Sequence, residues 1–525
     1  MSARASSSSS SSSSREGNGG GGAWEDCFSA LRDREDLPPM SLPRVTTPKR
    51  VVLVRHGQST WNACGRMQGS SDYSRLTEKG RSQAETTALL LQSEHFDAVY
   101  SSPLSRATET ATIVWGSRRK KDEPPPLQLV PGLREIDLYS FQGLLKDEAR
   151  RDFPAQYRMW KSSAENFDID GHVPVRELWR RASRVWHELL MRDHGEDGVD
   201  RSRDDLSSGG MEDNRREHDA PENILVVAHN AVNQALIGTA LGLKPSHFRR
   251  LVQSNAAATV LSVIPTENGE PRTVLDGLNE TPEMPLHAAA GARVVLVCDG
   301  SSTSFTSSIS STEASGGESD DAVEVSKAAA TAEMLRECGA THVMSSPVAR
   351  AKLSAGVIAE TIGISASGIE VVPFLRDPLG LQQEQEGLDG EKTATIPLTD
   401  DIDTVTLTTA TTTGGDEPIS SVWKRAGQAW AAALSRIGES GTVVMVGHPT
   451  VASAMLCRCL SLPPEFVSRI RLDDGSVSIV SFPDGALGGP GIVNTANYTK
   501  HLDPQWAVPV ASPSEELLST PLEGF

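Results

Sequence analysis

The chain has 525 residues, of which 38% are apolar, and a formal net charge of −19. This length accommodates roughly two to four domains with a real core, and no apolar run approaches the roughly 20 residues that a membrane-spanning helix needs. The negative charge argues against nucleic acid as a partner, so an anionic substrate requires a locally basic pocket. The six cysteines are too few for a disulfide scaffold, and their spacings match no recognisable metal site.

Residues 1–48 are predicted to be a disordered leader. A serine run at 6–14 and a glycine run at 19–22 leave little apolar periodicity. The first fifteen residues contain Arg4 and Arg15 but no acid, which is compatible with an organelle transit peptide, although the arginine pattern is poorly amphipathic. The composition alone leaves that interpretation open.

The first ordered element is a buried strand, because the apolar residues 51–54 run directly into Arg55-His56-Gly57. Strand ends of open α/β sheets face a crevice that binds ligands. Gly57 allows a sharp turn, and Arg55 places a permanently charged guanidinium, with several N–H donors, beside the imidazole of His56. A histidine held in this way suits attack on a phosphoryl group. The alternative is an exposed loop whose histidine has no chemical role.

The segments that follow predict alternating helices and strands. Thr77 is a candidate cap for a helix, and residues 96–100 read as the next strand. A second helix begins near Arg106, which places its guanidinium at the end of that strand, where it can hold a phosphate. A solvated arginine at a helix start is the alternative.

Glu135 is the candidate proton donor, because cleavage of a phosphate ester requires a proton for the leaving oxygen. Asp137 is a less suitable substitute. Residues 175–191 have the apolar periodicity of a long amphipathic helix. Residues 193–222 are charged and aperiodic, which predicts a disordered insertion.

A second apolar strand stops at His229 and has a helix behind it. A single histidine at a strand end is usually structural. Two histidines at equivalent strand ends are harder to dismiss, and we expect His229 to emerge at the same sheet edge as His56. Together they provide a nucleophile and a companion that donates to phosphoryl oxygen.

These motifs resemble the histidine phosphatase superfamily, which includes phosphoglycerate mutases and sugar phosphatases. The resemblance covers about residues 50–265 and is carried by four segments in the family's order: Arg55-His56-Gly57, Ser102-Pro-Leu-Ser-Arg-Ala107, Leu133-Arg-Glu135 and Ala228-His229.

The resemblance implies a three-layer α/β/α domain and a phosphohistidine formed on His56. Glu135 would supply the proton. The phosphate would be held by Arg55, Arg106 and His229, and the phosphate pocket would also be lined by Asn62, Gln68 and Gly69. No metal or other cofactor is implied, because two arginines and a second histidine supply the charge that magnesium supplies in kinases.

A narrower resemblance is to the plant and algal 2-carboxy-D-arabinitol-1-phosphatases, plastid enzymes that act on a sugar-acid inhibitor of Rubisco. It rests on residues 133–143, 167–179 and 229–235. It implies a small sugar-acid phosphate as substrate and a location in the chloroplast stroma. The cytoplasm is the alternative, since the short serine- and glycine-rich leader departs from the expected presequence.

The second half repeats the first in degenerate form. Residues 294–303 align with 51–60, which places Asp299 opposite the nucleophile His56. Cys298 lies opposite Arg55, so the catalytic pair is lost. The sequence therefore predicts a duplicated domain whose second copy is structural or regulatory.

The other motifs of the second half are better preserved. Arg350 matches Arg106, Asp377 matches Glu135, and His448 matches His229. We expect Arg350 and His448 to retain weak binding of an anion.

The predicted organisation after the leader is a catalytic domain at 49–265, a linker at 266–291, a degenerate domain at 292–503 and a tail at 504–525. The alternating residues 476–482 read as the last strand. The predicted function is phosphatase activity on a small phosphorylated sugar or sugar acid. A phosphoglycerate mutase, a fructose-2,6-bisphosphatase and a non-catalytic regulatory protein remain alternatives.

Overall fold

The computed structural model describes residues 39–116, 125–191, 221–281, 291–299, 320–376, 418–438, 440–483, 485 and 491–503. The leader as far as residue 38, the predicted insertion as far as residue 220, Asp377 and the tail 504–525 lie outside the described residues.

Twelve strands in the described part of the chain form one mixed sheet. In chain order they are β1 Lys49–Arg55, β2 Ala98–Ser101, β3 Leu127–Leu129, β4 Glu222–Ala228, β5 Ala258–Ile264, β6 Arg272–Glu280, β7 Ala292–Cys298, β8 His342–Ser345, β9 Ile369–Val371, β10 Thr442–Gly447, β11 Val477–Phe482 and β12 Ile492–Tyr498. Their order across the sheet is β3-β2-β4-β1-β5-β6-β12-β11-β7-β10-β8-β9.

Helices cover both faces of the sheet. In the first half they are Thr60–Ala63, Glu78–Leu90, Ser105–Gly116, Lys146–Asp152, Pro154–Ser162, Pro174–Met191 and Asn230–Leu241. In the second half they are Asp320–Leu335, Ala349–Thr361, Ile419–Ile437 and Pro449–Cys459. None of the described helices is long and apolar enough to cross a lipid bilayer.

Strand β1 shows why the fold has three layers. Its side chains alternate between the two faces of the sheet, and all four residues from Val51 to Val54 are buried. Val51 and Leu53 belong to the apolar cluster under Pro174–Met191, whereas Val52 and Val54 belong to the cluster on the opposite face. A strand covered on both sides reads as a continuous apolar run. The predicted α/β/α architecture is confirmed.

The two halves of the sheet are mirror images in strand order, as expected of a duplicated domain. Each half has four parallel strands, β3-β2-β4-β1 or β9-β8-β10-β7, followed by two antiparallel strands. The halves meet where β6 pairs antiparallel with β12. One apolar cluster contains residues of both halves, so the halves share a core.

The predicted leader boundary at residue 48 is wrong, because residues 39–48 pack on the first half of the chain. The backbone N–H of Met40 donates to Ser183 Oγ over 3.0 Å, and Val45 is buried in the core. The apolar residues in this segment are too few to produce a periodic pattern. They are nevertheless enough to hold the segment against the first half.

The predicted linker 266–291 is also wrong, because it contains β6, a central strand of the sheet. Glycine and asparagine interrupt the apolar alternation of this strand, so its pattern is weak. The predicted strand at 476–482 is present as β11, Val477–Phe482, but β12 follows it and is the last strand of the described residues.

Candidate active site

The two histidines singled out by the sequence lie side by side. Strands β1 and β4 are parallel neighbours, and Arg55 pairs with Ala228, so both strands end at the same edge. The ring centroids of His56 and His229 are 5.0 Å apart with an interplanar angle of 63°. Both rings are almost completely buried.

One tautomer of His56 is favoured by its contacts. His56 Nδ1 lies 2.7 Å from the carbonyl oxygen of Gly57. A carbonyl only accepts, so Nδ1 carries the proton and donates, which leaves the lone pair on Nε2. Burial, together with the charges of Arg106 and Arg55, holds the pKa of His56 well below its usual value near 6.5. The imidazole is therefore neutral and nucleophilic at physiological pH.

Gly57 is the residue that this turn requires. A Cβ at position 57 would lie 2.1 Å from the carbonyl oxygen of Gly80, where no side chain fits. The backbone N–H of Gly57 donates to Thr110 Oγ1 over 3.1 Å. The turn is thus fixed against the helices Glu78–Leu90 and Ser105–Gly116, and these contacts also fix the backbone position of His56.

His229 has a hydrogen-bond partner on the neighbouring strand end. Its Nε2 lies 2.8 Å from Ser102 Oγ, and its Nδ1 is buried with no partner in the described part of the chain. Burial and the charge of Arg106 lower the pKa of His229 well below the usual value. His229 also occupies the N-cap position of the helix Asn230–Leu241.

Two arginines supply positive charge at the same edge. Arg55 Nη1 donates to the carbonyl of Gln253 over 2.6 Å. Arg106 is fully buried and donates to the carbonyls of Ser71 and Gly69 over 2.8 and 3.1 Å. Burial lowers the pKa of each arginine to about 10, and the charge of Glu135 opposes this shift. Both guanidiniums therefore remain charged at neutral pH.

Neither arginine uses all of its donors within the protein. The Nε atoms of Arg55 and Arg106 are buried and have no hydrogen-bond partner among the described residues. A buried donor without a partner costs about 1–3 kcal/mol. An anion bound between the two guanidiniums would satisfy such donors.

Glu135 is held by backbone N–H groups at the start of the helix Asn230–Leu241. Its Oε1 accepts from Ile136 at 2.9 Å and from Val232 at 3.1 Å, and its Oε2 accepts from Ala231 at 3.1 Å. Oε2 therefore has more free acceptor capacity than Oε1. The helix that begins at His229 thus also orients the carboxyl group.

The three remaining predicted pocket residues belong to a connected polar network. Ser59 is the N-cap of the helix Thr60–Ala63 and forms a capping box with Asn62. Gln68 Nε2 donates to Ser59 Oγ over 2.7 Å. Gln68 Oε1 is buried without a partner in the described structure. Gly69 has φ +55°, and its carbonyl accepts from Arg106. This segment therefore holds Arg106 in place.

Three residues of the site were missed by the sequence reasoning. Ser102 contacts His229, although it lies inside the motif that contains Arg106. Gln253 accepts from Arg55, and Asn255 Nδ2 donates to the backbone carbonyl of His56 over 3.1 Å. The only sequence signal for Gln253 and Asn255 is the polar triplet at 253–255, which lies two residues before the buried strand β5.

The equivalent place in the second half contains an ion-pair cluster. Asp299, opposite His56, has Oδ1 2.8 Å from Arg350 Nε, and Arg350 Nη2 lies 2.6 Å from Asp474 Oδ2. Asp474 also accepts from Lys327 over 2.9 Å. Two carboxylates already pair with Arg350. The expectation that Arg350 and His448 bind an anion weakly stays a prediction.

His448, the counterpart of His229, uses its ring differently. Its Nδ1 accepts from the backbone N–H of Thr450 over 3.3 Å, so the side chain caps its own helix. No group of three or more His, Cys, Asp or Glu in the described part of either half is arranged to hold a metal ion.

The motifs and their geometry agree with the comparison to known families. The model of the histidine phosphatase superfamily (branch 1) matches residues 51–199, 208–275 and 322–488. The chain belongs to this superfamily. The third matched segment lies in the second half, so the duplication is confirmed, and the chain is a phosphoric monoester hydrolase.

Two plant relatives align with both halves. The chain is 39% identical over 495 residues to the 2-carboxy-D-arabinitol-1-phosphatase of Triticum aestivum, with 90% of each chain covered. It is 36% identical over 484 residues to the probable 2-carboxy-D-arabinitol-1-phosphatase of Arabidopsis thaliana, covering 90% of this chain and 91% of the relative.

Shorter proteins match part of the chain. The structure of mycobacterial glucosyl-3-phosphoglycerate phosphatase is 28% identical, with a TM-score of 0.35, and covers 45% of this chain and 100% of its own. Phosphoserine phosphatase 1 of Hydrogenobacter thermophilus is 28% identical over 234 residues, which is 44% of this chain and 92% of the relative.

Proposed function

We propose that the first half hydrolyses 2-carboxy-D-arabinitol 1-phosphate through a phosphohistidine on His56. The observation that carries this proposal is the pair of buried histidines flanked by two charged arginines. The substrate is supported by the names of the two relatives that align over 90% of this chain. The products would be the free sugar acid and phosphate, which would relieve inhibition of Rubisco.

The substrate phosphate would bind against Arg55, Arg106 and His229. The free Nε donors of the two arginines point to an anion as the missing partner. Asn62, Gln68 and Gly69 would complete the pocket. Two guanidinium charges stabilise the negative charge that spreads over the equatorial oxygens during phosphoryl transfer.

The first step would be attack by the Nε2 lone pair of His56 on phosphorus. The N–P bond forms as the ester P–O bond breaks, and the leaving oxygen takes a proton from Glu135. Glu135 Oε2 suits this role, because it accepts only the N–H of Ala231 among the described residues.

The second step would regenerate the enzyme. Water attacks the phosphohistidine and gives one of its protons to Glu135, which lost its own proton to the leaving group in the first step. The N–P bond breaks and its electron pair returns to His56 Nε2. Phosphate then leaves, and both residues are back in their starting protonation states.

The test is phosphate release by the full-length protein, without added metal, from three substrates in four reaction mixtures. They are 2-carboxyarabinitol 1-phosphate, fructose 2,6-bisphosphate, and 3-phosphoglycerate with and without 2,3-bisphosphoglycerate. We expect the highest kcat/KM with the carboxyarabinitol ester. A preference for another ester would overturn the substrate assignment but keep the mechanism. Absence of turnover and of phosphohistidine would instead favour a regulatory protein.

We also propose that the protein acts in the chloroplast stroma. Support comes from the acid-free first fifteen residues and from the plastid enzymes that the chain resembles. A fusion of residues 1–48 to a fluorescent protein should enter isolated chloroplasts and be shortened there. A fusion that stays outside the organelle would favour the cytoplasm.

A further inference from the structure

The floor of the catalytic site is a loop, residues 250–257, that we call the floor loop. Its Asn255 Nδ2 and Ala256 N–H both donate to the backbone carbonyl of His56, over 3.1 and 3.2 Å. The carbonyl of Gln253 accepts from Arg55 over 2.6 Å. The backbone positions of the nucleophile and of one arginine therefore depend on this loop.

The floor loop has a conformation that its surroundings must maintain. Ala256 has φ +58°, in the left-handed region that a residue with a Cβ rarely adopts. Thr87 Oγ1 donates to the carbonyl of Ala256 over 2.7 Å from the neighbouring helix. Such strain persists only where several contacts determine the backbone together.

Part of that support comes from the second half of the chain. The N–H of Val252 donates to the carbonyl of Val493 over 3.0 Å, and the N–H of Val493 donates to the carbonyl of Arg250 over 2.8 Å. Arg250 Nη1 also donates to the carbonyl of Gly491 over 3.1 Å. The first residues of β12 thus form a short parallel ladder with the floor loop.

Asn279 on β6 is the second link. It is fully buried, with φ +56°, and its Oδ1 accepts from the N–H of Ser254 over 2.6 Å. Its Nδ2 donates to the carbonyl of Asn494 on β12 over 2.7 Å. One amide group therefore joins the floor loop to the second half.

The duplication provides an internal control for this arrangement. Asn497 occupies the mirror position, with φ +58°. Its Oδ1 accepts from the N–H of Asp473 over 2.6 Å, and its Nδ2 donates to the carbonyl of Asp276 over 2.6 Å. Asn497 makes the same cross-link in the opposite direction, but the loop that it holds belongs to the half without a nucleophile.

We propose that the second half positions the catalytic site. Strand β12 holds the floor loop directly and through Asn279, and the floor loop holds Arg55 and His56. The degenerate half is then part of the active site, although Arg350 in its own pocket is already paired with two carboxylates. Asn279 is a positioning residue in this scheme. The proposal rests on the phosphoryl transfer proposed for His56.

The test compares Asn279→Gly with Asn497→Gly in the full-length protein. Glycine tolerates the positive φ at both positions, so each variant loses the amide cross-link without added backbone strain. Thermal midpoints report the structural cost. Steady-state kinetics with p-nitrophenyl phosphate, and the amount of acid-labile phosphohistidine, report the catalytic cost.

We expect both variants to lose a similar number of degrees in thermal midpoint, because the cross-links match. Asn279→Gly should lower kcat by roughly 10- to 100-fold, since small displacements of reacting groups have effects of this size. Asn497→Gly should keep kcat within about twofold of the wild type. Equal kcat values for the two variants would overturn the proposal.

A third variant covers the case in which Asn279→Gly does not fold. Asn279→Asp keeps an acceptor for the N–H of Ser254 but has no N–H to donate to Asn494. A folded Asn279→Asp with wild-type kcat would overturn the role of the second half, and a reduced kcat would support it. Wild-type protein without turnover and without phosphohistidine would instead count against the proposed function.

Discussion

Asp299 Oδ1 lies 2.8 Å from Arg350 Nε, so the residue that aligns with His56, the proposed nucleophile, forms an ion pair with the counterpart of Arg106, the proposed phosphate ligand. The carboxylate supplies from within the protein the negative charge that a bound phosphate would bring. The side chain of Asp299 is 5% exposed. In the second half, the arginine at this position is therefore paired with carboxylates of the protein itself.

Arg350→Met should therefore lower the stability of the protein, whereas Arg106→Met should lower its activity. Arg350→Met leaves Asp299 buried without its ion-pair partner, and we expect a loss of about 3 kcal/mol in the free energy of unfolding, with kcat unchanged. Arg106→Met should lower kcat by roughly 100-fold or more. Urea denaturation and steady-state kinetics measure the two effects. An active Arg106→Met would contradict the assignment of the pocket.

His56→Ala should abolish turnover while the protein stays folded. The nucleophile is then absent, and comparable substitutions reduce kcat by about 10⁴-fold or more. Phosphate release and phosphohistidine labelling check the activity, and circular dichroism checks the fold. Unchanged turnover would rule out the phosphohistidine mechanism.

Ser102→Ala removes the hydrogen-bond partner of His229 Nε2. The imidazole then has a less defined orientation toward the phosphate, and we expect kcat to fall by about tenfold. Ser346→Ala is the matched control, because Ser346 accepts from Val348 N–H in the second half as Ser102 accepts from Leu104 N–H. A similar loss of kcat in both variants would indicate a general effect on the fold.

Acidification should destabilise the protein in part through His501. Burial lowers the pKa of His501 to about 4, so the folded state stays deprotonated where the unfolded state binds a proton. The free energy of unfolding therefore falls as the pH drops from about 6.5 toward 4.

His501→Gln should remove that part of the pH dependence. Between pH 7.5 and pH 5, we expect the wild type to lose about 1–2 kcal/mol more than the variant, as measured by urea denaturation. The buried His56 and His229 have pKa shifts of the same sign and contribute equally to both proteins. Parallel pH profiles would show that His501 titrates normally.

Local patterns in the sequence were sufficient for the elements that carry the candidate chemistry. The apolar run before His56 predicts a buried strand because a strand covered on both faces has no polar side. Thr77 predicts a helix start because its hydroxyl can satisfy a free backbone N–H, and it accepts from Gly80 in the structure. Such signals lie within one segment, so they can be read without knowing its neighbours.

The partnership of the two halves was decided only by the tertiary structure. β6 reads as a linker, because Gly277 and Asn279 interrupt its pattern, yet it lies at the centre of the sheet. The contact of Asn279 with Asn494 joins residues that are 215 positions apart. Strand pairing over such distances depends on backbone groups that every residue carries, and the interrupted apolar pattern of β6 does not indicate its partner strand.

The state of the second pocket was likewise invisible in the sequence. The chain shows that Asp299 replaces a histidine and that Arg350 is kept, and both facts are compatible with a remaining anion site. Whether the carboxylate faces the guanidinium depends on the distance between two side chains from different elements. That distance is set by how the strand end and the helix pack together, and in the folded protein it is short enough for an ion pair.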